Sequence, residues 1–81
     1  MDYFTYILFS EKLNRYYIGS THTISQRLER HNAGATKSTK AGKPWKVVYA
    51  EKYNSKTEAI KRENYLKRMK SRKFIESLIS G

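Results

Sequence analysis

The sequence predicts an α+β fold, a three-stranded antiparallel sheet flanked by helices in the order β-β-α-β-α-α. Three runs, Tyr3 to Phe9, Arg15 to Gly19 and Trp45 to Tyr53, are dense in aromatic and β-branched residues and read as strands. Three other segments space apolar residues at helical intervals. A sheet of three strands must bury a face, and these helices are the cover available.

Taken in order, the polar stretch Ser10 to Asn14 turns the first strand back onto the second, so the chain opens with a hairpin. Thr21 or Thr23 can cap a helix that runs to about Asn32, with Ile24 and Leu28 at i and i+4, and Ala33-Gly34 ends it. Ala35 to Pro44 holds Gly, Ser, Thr, three lysines and the single proline, a basic loop. After the third strand, Ser55-Lys56-Thr57-Glu58 has the form of a capping box. It opens a helix to about Lys70 whose buried side is marked by Ala59, Ile60, Leu66 and Met69. Ser71 caps a last short helix, in which Phe74/Leu78 and Ile75/Ile79 are i, i+4 pairs.

At 81 residues the expectation is one domain, residues 1–81, with a small core. There is no cysteine, so neither a disulfide nor a thiolate zinc site is available, and two histidines make a poor structural zinc site. Seventeen Lys and Arg against seven Asp and Glu give a net charge of +10, which points first to nucleic acid and second to an anionic membrane surface. No apolar run is long enough to span a bilayer. The start, Met1-Asp2-Tyr3-Phe4, has no basic stretch ahead of an apolar one and does not read as a signal peptide. A reducing, cytoplasmic location is expected.

Some residues sit badly in a purely structural account. On a helical wheel Glu63 falls between Ala59 and Ile60, on the core-facing stripe, where a carboxylate is costly unless paired or metal-bound. The ordinary explanation is a boundary side chain reaching out to a lysine or arginine. In the first helix Arg27 and His31 are an i, i+4 pair, and His31 projects between Ile24 and Leu28. A structural histidine and an Arg27–Glu51 ion pair would account for these. Against that stands the coincidence of arginine, histidine and carboxylate all facing a sheet with tyrosines at 3, 6, 16, 17, 49 and 53. Such a set suits phosphodiester hydrolysis. A carboxylate anchors a divalent cation, a guanidinium matches phosphate oxygens, and a phenol or imidazole takes a proton from water.

These residues resemble the GIY-YIG nuclease superfamily, in particular small stand-alone members related to the N-terminal domain of the excinuclease C subunit. Phe4-Thr5-Tyr6 occupies the place of the first triplet and keeps its tyrosine; Tyr17-Ile18-Gly19 is an intact YIG, followed by Ser20. Arg27 follows Gly19 by eight positions, His31 comes four later, and Glu58 to Asn64 matches the helix bearing the metal carboxylate. The resemblance covers about Tyr3 to Ile79. It implies that Glu63 binds one Mg²⁺ or Mn²⁺, that Arg27 contacts the scissile phosphate, and that Tyr17 or Tyr6 is the general base or orients the water. It implies that His31 assists the tyrosine or the proton transfer. The family fold, a three-stranded antiparallel sheet with helices, agrees with the reading of the strands and helices above.

Phe4 and Thr5 depart from the first triplet's glycine and isoleucine, and neither the later site asparagine nor the separate DNA-binding domain of many relatives is evident. Recognition then falls to the basic surface, for which Lys37, Lys40, Lys43, Lys46, Arg62 and Lys67 are the candidate nucleic-acid contacts. Interleaved tyrosines and Trp45 can stack unpaired bases, which favours single-stranded or branched DNA. The expected function is a metal-dependent DNA endonuclease with no obligate protein partner and no membrane association. The alternative is a nucleic-acid-binding module of the same fold with little or no cleavage.

Overall fold

The structure, a computed structural model, describes residues 2–81. Six elements follow the expected order: β1 (Tyr3–Ser10), β2 (Arg15–Thr21), α1 (Ile24–Asn32), β3 (Trp45–Tyr53), α2 (Lys56–Met69) and α3 (Arg72–Ser80). The strands lie in the order β2-β1-β3, both pairings antiparallel, so β1 is central and β2 and β3 are edges. The α+β architecture read from the sequence is the one observed.

A central strand covered on both faces should bury successive residues, and Thr5, Tyr6, Ile7 and Leu8 are all buried. Alternation sends Tyr6 and Leu8 to one face, where they pack with Trp45, Tyr17, Ile24 and Leu28 beneath α1. Ile7 faces the other side with Leu66 of α2 and Ile75 of α3. Thr5 shares that side, and its hydroxyl donates to the Ala59 carbonyl at 2.8 Å. That bond ties β1 to α2 and gives a structural reason for threonine in the first triplet.

The register between β1 and β3 slips between Ile7 and Leu8. Trp45 lies opposite Ser10 and so points to the α1 face, whereas Tyr49 lies opposite Ile7 and points to the α2 face. Val48 is the extra residue of this bulge. Without it Trp45, Tyr49, Glu51 and Tyr53 would share one face; with it the last three turn toward α2. The clustered tyrosines of the sheet are therefore divided between its faces. Tyr6 and Tyr17 are on the α1 face, and Tyr16, Tyr49 and Tyr53 are on the opposite one.

Several local expectations are corrected. Met69 is 41% exposed rather than buried, because α2 ends there and Lys70 turns into the left-handed region at φ 46°. Thr23 is the cap residue of α1, but its side chain makes no capping bond; Thr21 Oγ1 instead accepts from the Thr23 amide at 3.1 Å. Ser55 and Ser71 do cap, accepting from the Glu58 and Phe74 amides. The loop between α1 and β3 is not free. It contains a 3₁₀ turn at Lys40–Gly42 and is tied to the core through Thr39 and Gly42, both buried. Ser10 Oγ donates to the Gly42 carbonyl at 2.5 Å, Trp45 Nε1 to the Thr39 carbonyl at 2.7 Å, and Asn32 holds both the amide and the carbonyl of Trp45. Among the described residues no helix is long and apolar enough to cross a membrane.

Candidate active site

The pairing of β1 with β2 sets Tyr6 opposite Gly19. A Cβ on residue 19 would stand 2.5 Å from the Tyr6 hydroxyl oxygen and 2.7 Å from the ring carbon bearing it. The glycine of the YIG triplet thus gives room for the Tyr6 phenol to lie across β2. Tyr17, two residues back on the same face, packs edge-on to His31 at 4.9 Å and to Trp45 at 6.2 Å between ring centroids.

His31 is 1% exposed, and both its ring nitrogens have partners. Nδ1 is 2.7 Å from Thr39 Oγ1, and that hydroxyl donates to the Thr36 carbonyl at 3.3 Å. The threonine has one proton to give, so it accepts from Nδ1–H, which leaves Nε2 as the acceptor. Nε2 lies 3.4 Å from the Tyr6 hydroxyl, which donates to it. Burial, then the charges of Arg27 and Arg30, lower the His31 pKa and keep the ring neutral, in keeping with this tautomer. Thr39 was not anticipated from the sequence. It lies in an aperiodic loop, and only the fold brings it under α1.

The Tyr6 phenol holds its proton more tightly than an ordinary tyrosine. Burial is the main cause; the neighbouring Tyr17 adds to it, Arg27 opposes it, and Glu63 adds again. Groups from β1, β2, α1 and α2 all act on one buried oxygen, although Glu63 approaches from the far side of the sheet. Glu63 reaches the β2 edge, where Ser20 Oγ donates to Oε1 at 2.6 Å and Lys67 Nζ to Oε2 at 2.6 Å. The ordinary explanation of Glu63, pairing with a nearby cation, is thus part of the picture.

Arg27 differs. It is half-buried, yet among the described residues its guanidinium makes neither an ion pair nor a hydrogen bond. The anticipated partner, Glu51, is taken by Arg62, whose Nε and Nη2 donate to it at 2.9 and 3.1 Å. A partly exposed guanidinium with no protein partner is free to take an anionic ligand.

The remaining basic candidates divide in the same way. Lys37, Lys40 and Lys43 are exposed on the loop and unpaired among the described residues, and Lys46 makes a solvent-exposed pair with Glu11 at 2.9 Å. Lys67 is committed to Glu63, and Arg62 is held bidentately by Glu51 beside the Tyr65 ring. Arg62 is the least available of the six for a phosphate.

No group of three or more His, Asp or Glu able to hold a metal occurs among the described residues. A divalent cation here would have one protein carboxylate, Glu63, and would draw its other ligands from water and substrate. Mg²⁺ accepts that arrangement readily. The donor set therefore fits a hard, oxygen-seeking ion and does not fit zinc.

Comparison with known proteins identifies the family and the fold. The GIY-YIG catalytic domain matches residues 2–75. The UPF0213 protein lin0209 of Listeria innocua is 39% identical over 98% of this chain and 87% of its own length. A UPF0213 protein of Streptococcus pneumoniae is 42% identical over 86% of this chain and 73% of its own length. The solution NMR structure of a UPF0213 protein from Bacillus halodurans superposes with a TM-score of 0.61 at 31% identity, covering 99% of this chain and 84% of that one. The chain belongs to the GIY-YIG catalytic-domain family, a family of nucleases.

Proposed function

We propose that the protein is a metal-dependent endonuclease that hydrolyses phosphodiester bonds in DNA, acting where nucleic acid lies, in the cytoplasm. The observation that carries the reading is Arg27, a half-buried, unpaired guanidinium set in one electrostatic neighbourhood with Tyr6, Tyr17 and Glu63. A phosphate at this point would complete Arg27 with two parallel hydrogen bonds and offset the charge that grows on its oxygens during attack.

Glu63, steadied by Ser20, would hold Mg²⁺ or Mn²⁺ once Lys67 swings away. The bound ion supplies Lewis-acid polarisation of the phosphate and stabilisation of the leaving oxygen. Of the two tyrosines, Tyr17 is the better placed to meet the attacking water. Its phenol has no hydrogen-bond partner among the described residues and it is only partly buried. Tyr6 is 2% exposed, and its proton is already directed to His31. Tyr6 and His31 then act as positioning residues. They fix the Tyr17 ring and keep the pocket beside Gly19 filled.

The second reading, a binding module without cleavage, draws on the Lys67–Glu63 bond, which occupies the carboxylate. Labelled single-stranded, duplex and branched DNA, incubated with Mg²⁺, Mn²⁺ or EDTA, separates the two. Metal-dependent cutting should fall about 10²- to 10³-fold in both Glu63→Ala and Arg27→Ala, the loss expected when a group stabilising transition-state charge is removed. Binding of every substrate with no cutting of any would establish the module instead.

A further inference from the structure

Beside the outer edge of β2 lies a cleft of about 430 Å³ that none of the catalytic roles above uses. Its floor is apolar, formed by Ile18, Leu66 and Ile75, and its rim carries Arg15, Lys67, Lys70 and Arg72. No acidic residue lines it. It adjoins the candidate active site, because Tyr17 lines both and Lys67 bridges from the cleft wall to Glu63. We propose that this cleft is the subsite for one unpaired nucleotide of a DNA single strand next to the scissile phosphate. The inference deepens the nuclease reading and rests on it for the position of that phosphate.

The charges identify the occupant. Arg72 is committed, donating to Glu76 and to the carbonyl and side chain of Asn14 at 2.7–3.1 Å. Arg15 and Lys70 make no ion pair among the described residues. Lys67 joins them once a metal ion takes its place on Glu63. Three cations would then surround an apolar floor, the pattern that receives a base below and its phosphates at the rim. Charge on an edge strand also deters pairing with other sheets. That explanation covers Arg15, on β2, but not Lys67 and Lys70, which come from α2 and its cap.

Size argues for a single strand. The volume falls within the range of small-molecule sites, about 300–1,000 Å³. An unstacked nucleotide fits a space of this size. The basic loop at Lys37, Lys40 and Lys43 has no comparable floor; its lysines are separately exposed and suit tracking of a backbone.

The test compares two double variants of equal charge change, Arg15→Glu/Lys70→Glu in the cleft and Lys40→Glu/Lys43→Glu in the loop. Binding of a fluorescein-labelled oligothymidine, and of a blunt duplex, is read by anisotropy in EDTA, so the assay does not depend on cleavage. The cleft variant should lose about tenfold or more in single-strand affinity, and clearly more than the loop variant, since it places two carboxylates where the phosphates flanking the seated base would lie. Duplex affinity should fall equally in both. Equal loss of single-strand affinity in the two variants, or none in the cleft variant, overturns the subsite. Photocrosslinking of iodouracil-substituted oligonucleotide to the unaltered protein gives a second reading that no folding defect can obscure. Adducts at Tyr16, which lines the cleft and not the active site, support the cleft, and adducts confined to Tyr17 or to residues 37–46 refute it. An oligonucleotide that binds through the cleft but is never cut with Mg²⁺ or Mn²⁺ would leave the subsite standing and remove the nuclease reading.

Discussion

Glu51 and Glu63 both meet α2, and their side chains are almost equally buried, at 19% and 17% exposure. Their partners are not alike. Glu51 receives Arg62 through two nitrogens, Tyr49 at 2.5 Å and Tyr53 at 2.7 Å. All its donors are stiff, planar groups. Glu63 receives one serine hydroxyl and one lysine, and that lysine is 48% exposed on a flexible stem. Burial therefore does not separate the two carboxylates here; the exchangeability of their partners does. Glu51 is the lock between β3 and α2. Glu63 can trade its lysine for a cation at little cost to the fold.

The sharpest way to break this contrast is to neutralise each glutamate in turn. Glu63→Gln should reduce metal-dependent cleavage about 10²- to 10³-fold, a loss of several kcal/mol of transition-state stabilisation, and leave the urea midpoint almost unchanged. Glu51→Gln should do the reverse, keeping the cleavage rate of the folded protein and lowering stability. Breaking a fully buried pair costs about 3–5 kcal/mol, and solvent screening of this partly exposed one brings the expected loss nearer 2 kcal/mol. Two variants with the same profile would mean that the glutamates share one role.

A smaller effect, read against pH, tests the Glu51 cluster alone. Burial by itself would raise the Glu51 pKa, but the bonds from Arg62, Tyr49 and Tyr53 outweigh it and hold the carboxyl below its ordinary 4.5. The unfolded chain then takes up the proton first. The stabilisation is complete above pH 4.5 and is lost as pH falls through the lower, folded value. On the alkaline side burial, then the bond to Glu51, push Tyr53 up from 10.0 to about 12. The unfolded chain loses that proton first, so stability declines as pH rises from about 10 through about 12. Urea midpoints measured across pH should show both limbs, and Glu51→Gln should flatten the acid one. An unaltered acid limb in that variant would assign it to other carboxylates.

Much of this was legible in the sequence because it rests on local rules. Strand runs, serine caps and helix spacing follow from a few neighbouring residues, and the order of Tyr17, Gly19, Arg27 and Glu63 marked the candidate site. What was hidden depends on register. The bulge at Val48 moves Tyr49, Glu51 and Tyr53 away from the α1 face, and no alternation pattern in Trp45–Tyr53 announces it. That one residue decides that Glu51 meets Arg62 and leaves Arg27 without a partner. Thr39 was hidden for another reason. Its neighbours are small, polar and basic, like those of any exposed loop, and only the contact with His31 at 2.7 Å shows that it is part of the core.

Thr39 also carries a smaller expected effect on cleavage than Glu63. If its hydroxyl sets the His31 tautomer, Thr39→Val should leave Nδ1–H buried without an acceptor, at about 1–3 kcal/mol of stability. The ring can relieve this by moving the proton to Nε2, which then no longer accepts from Tyr6. Cleavage should fall about tenfold, the usual scale for a residue acting through the one that orients a site. Metal affinity should not change, because Glu63 is held from the other side of the sheet by Ser20 and Lys67. Thr39→Ser keeps the hydroxyl and should restore both the rate and the nitrogen-15 signature of Nδ1–H. A valine variant with full rate and an unchanged tautomer would reduce His31 to core packing, and the functional side of the comparison would then rest on Arg27, Tyr17 and Glu63 alone.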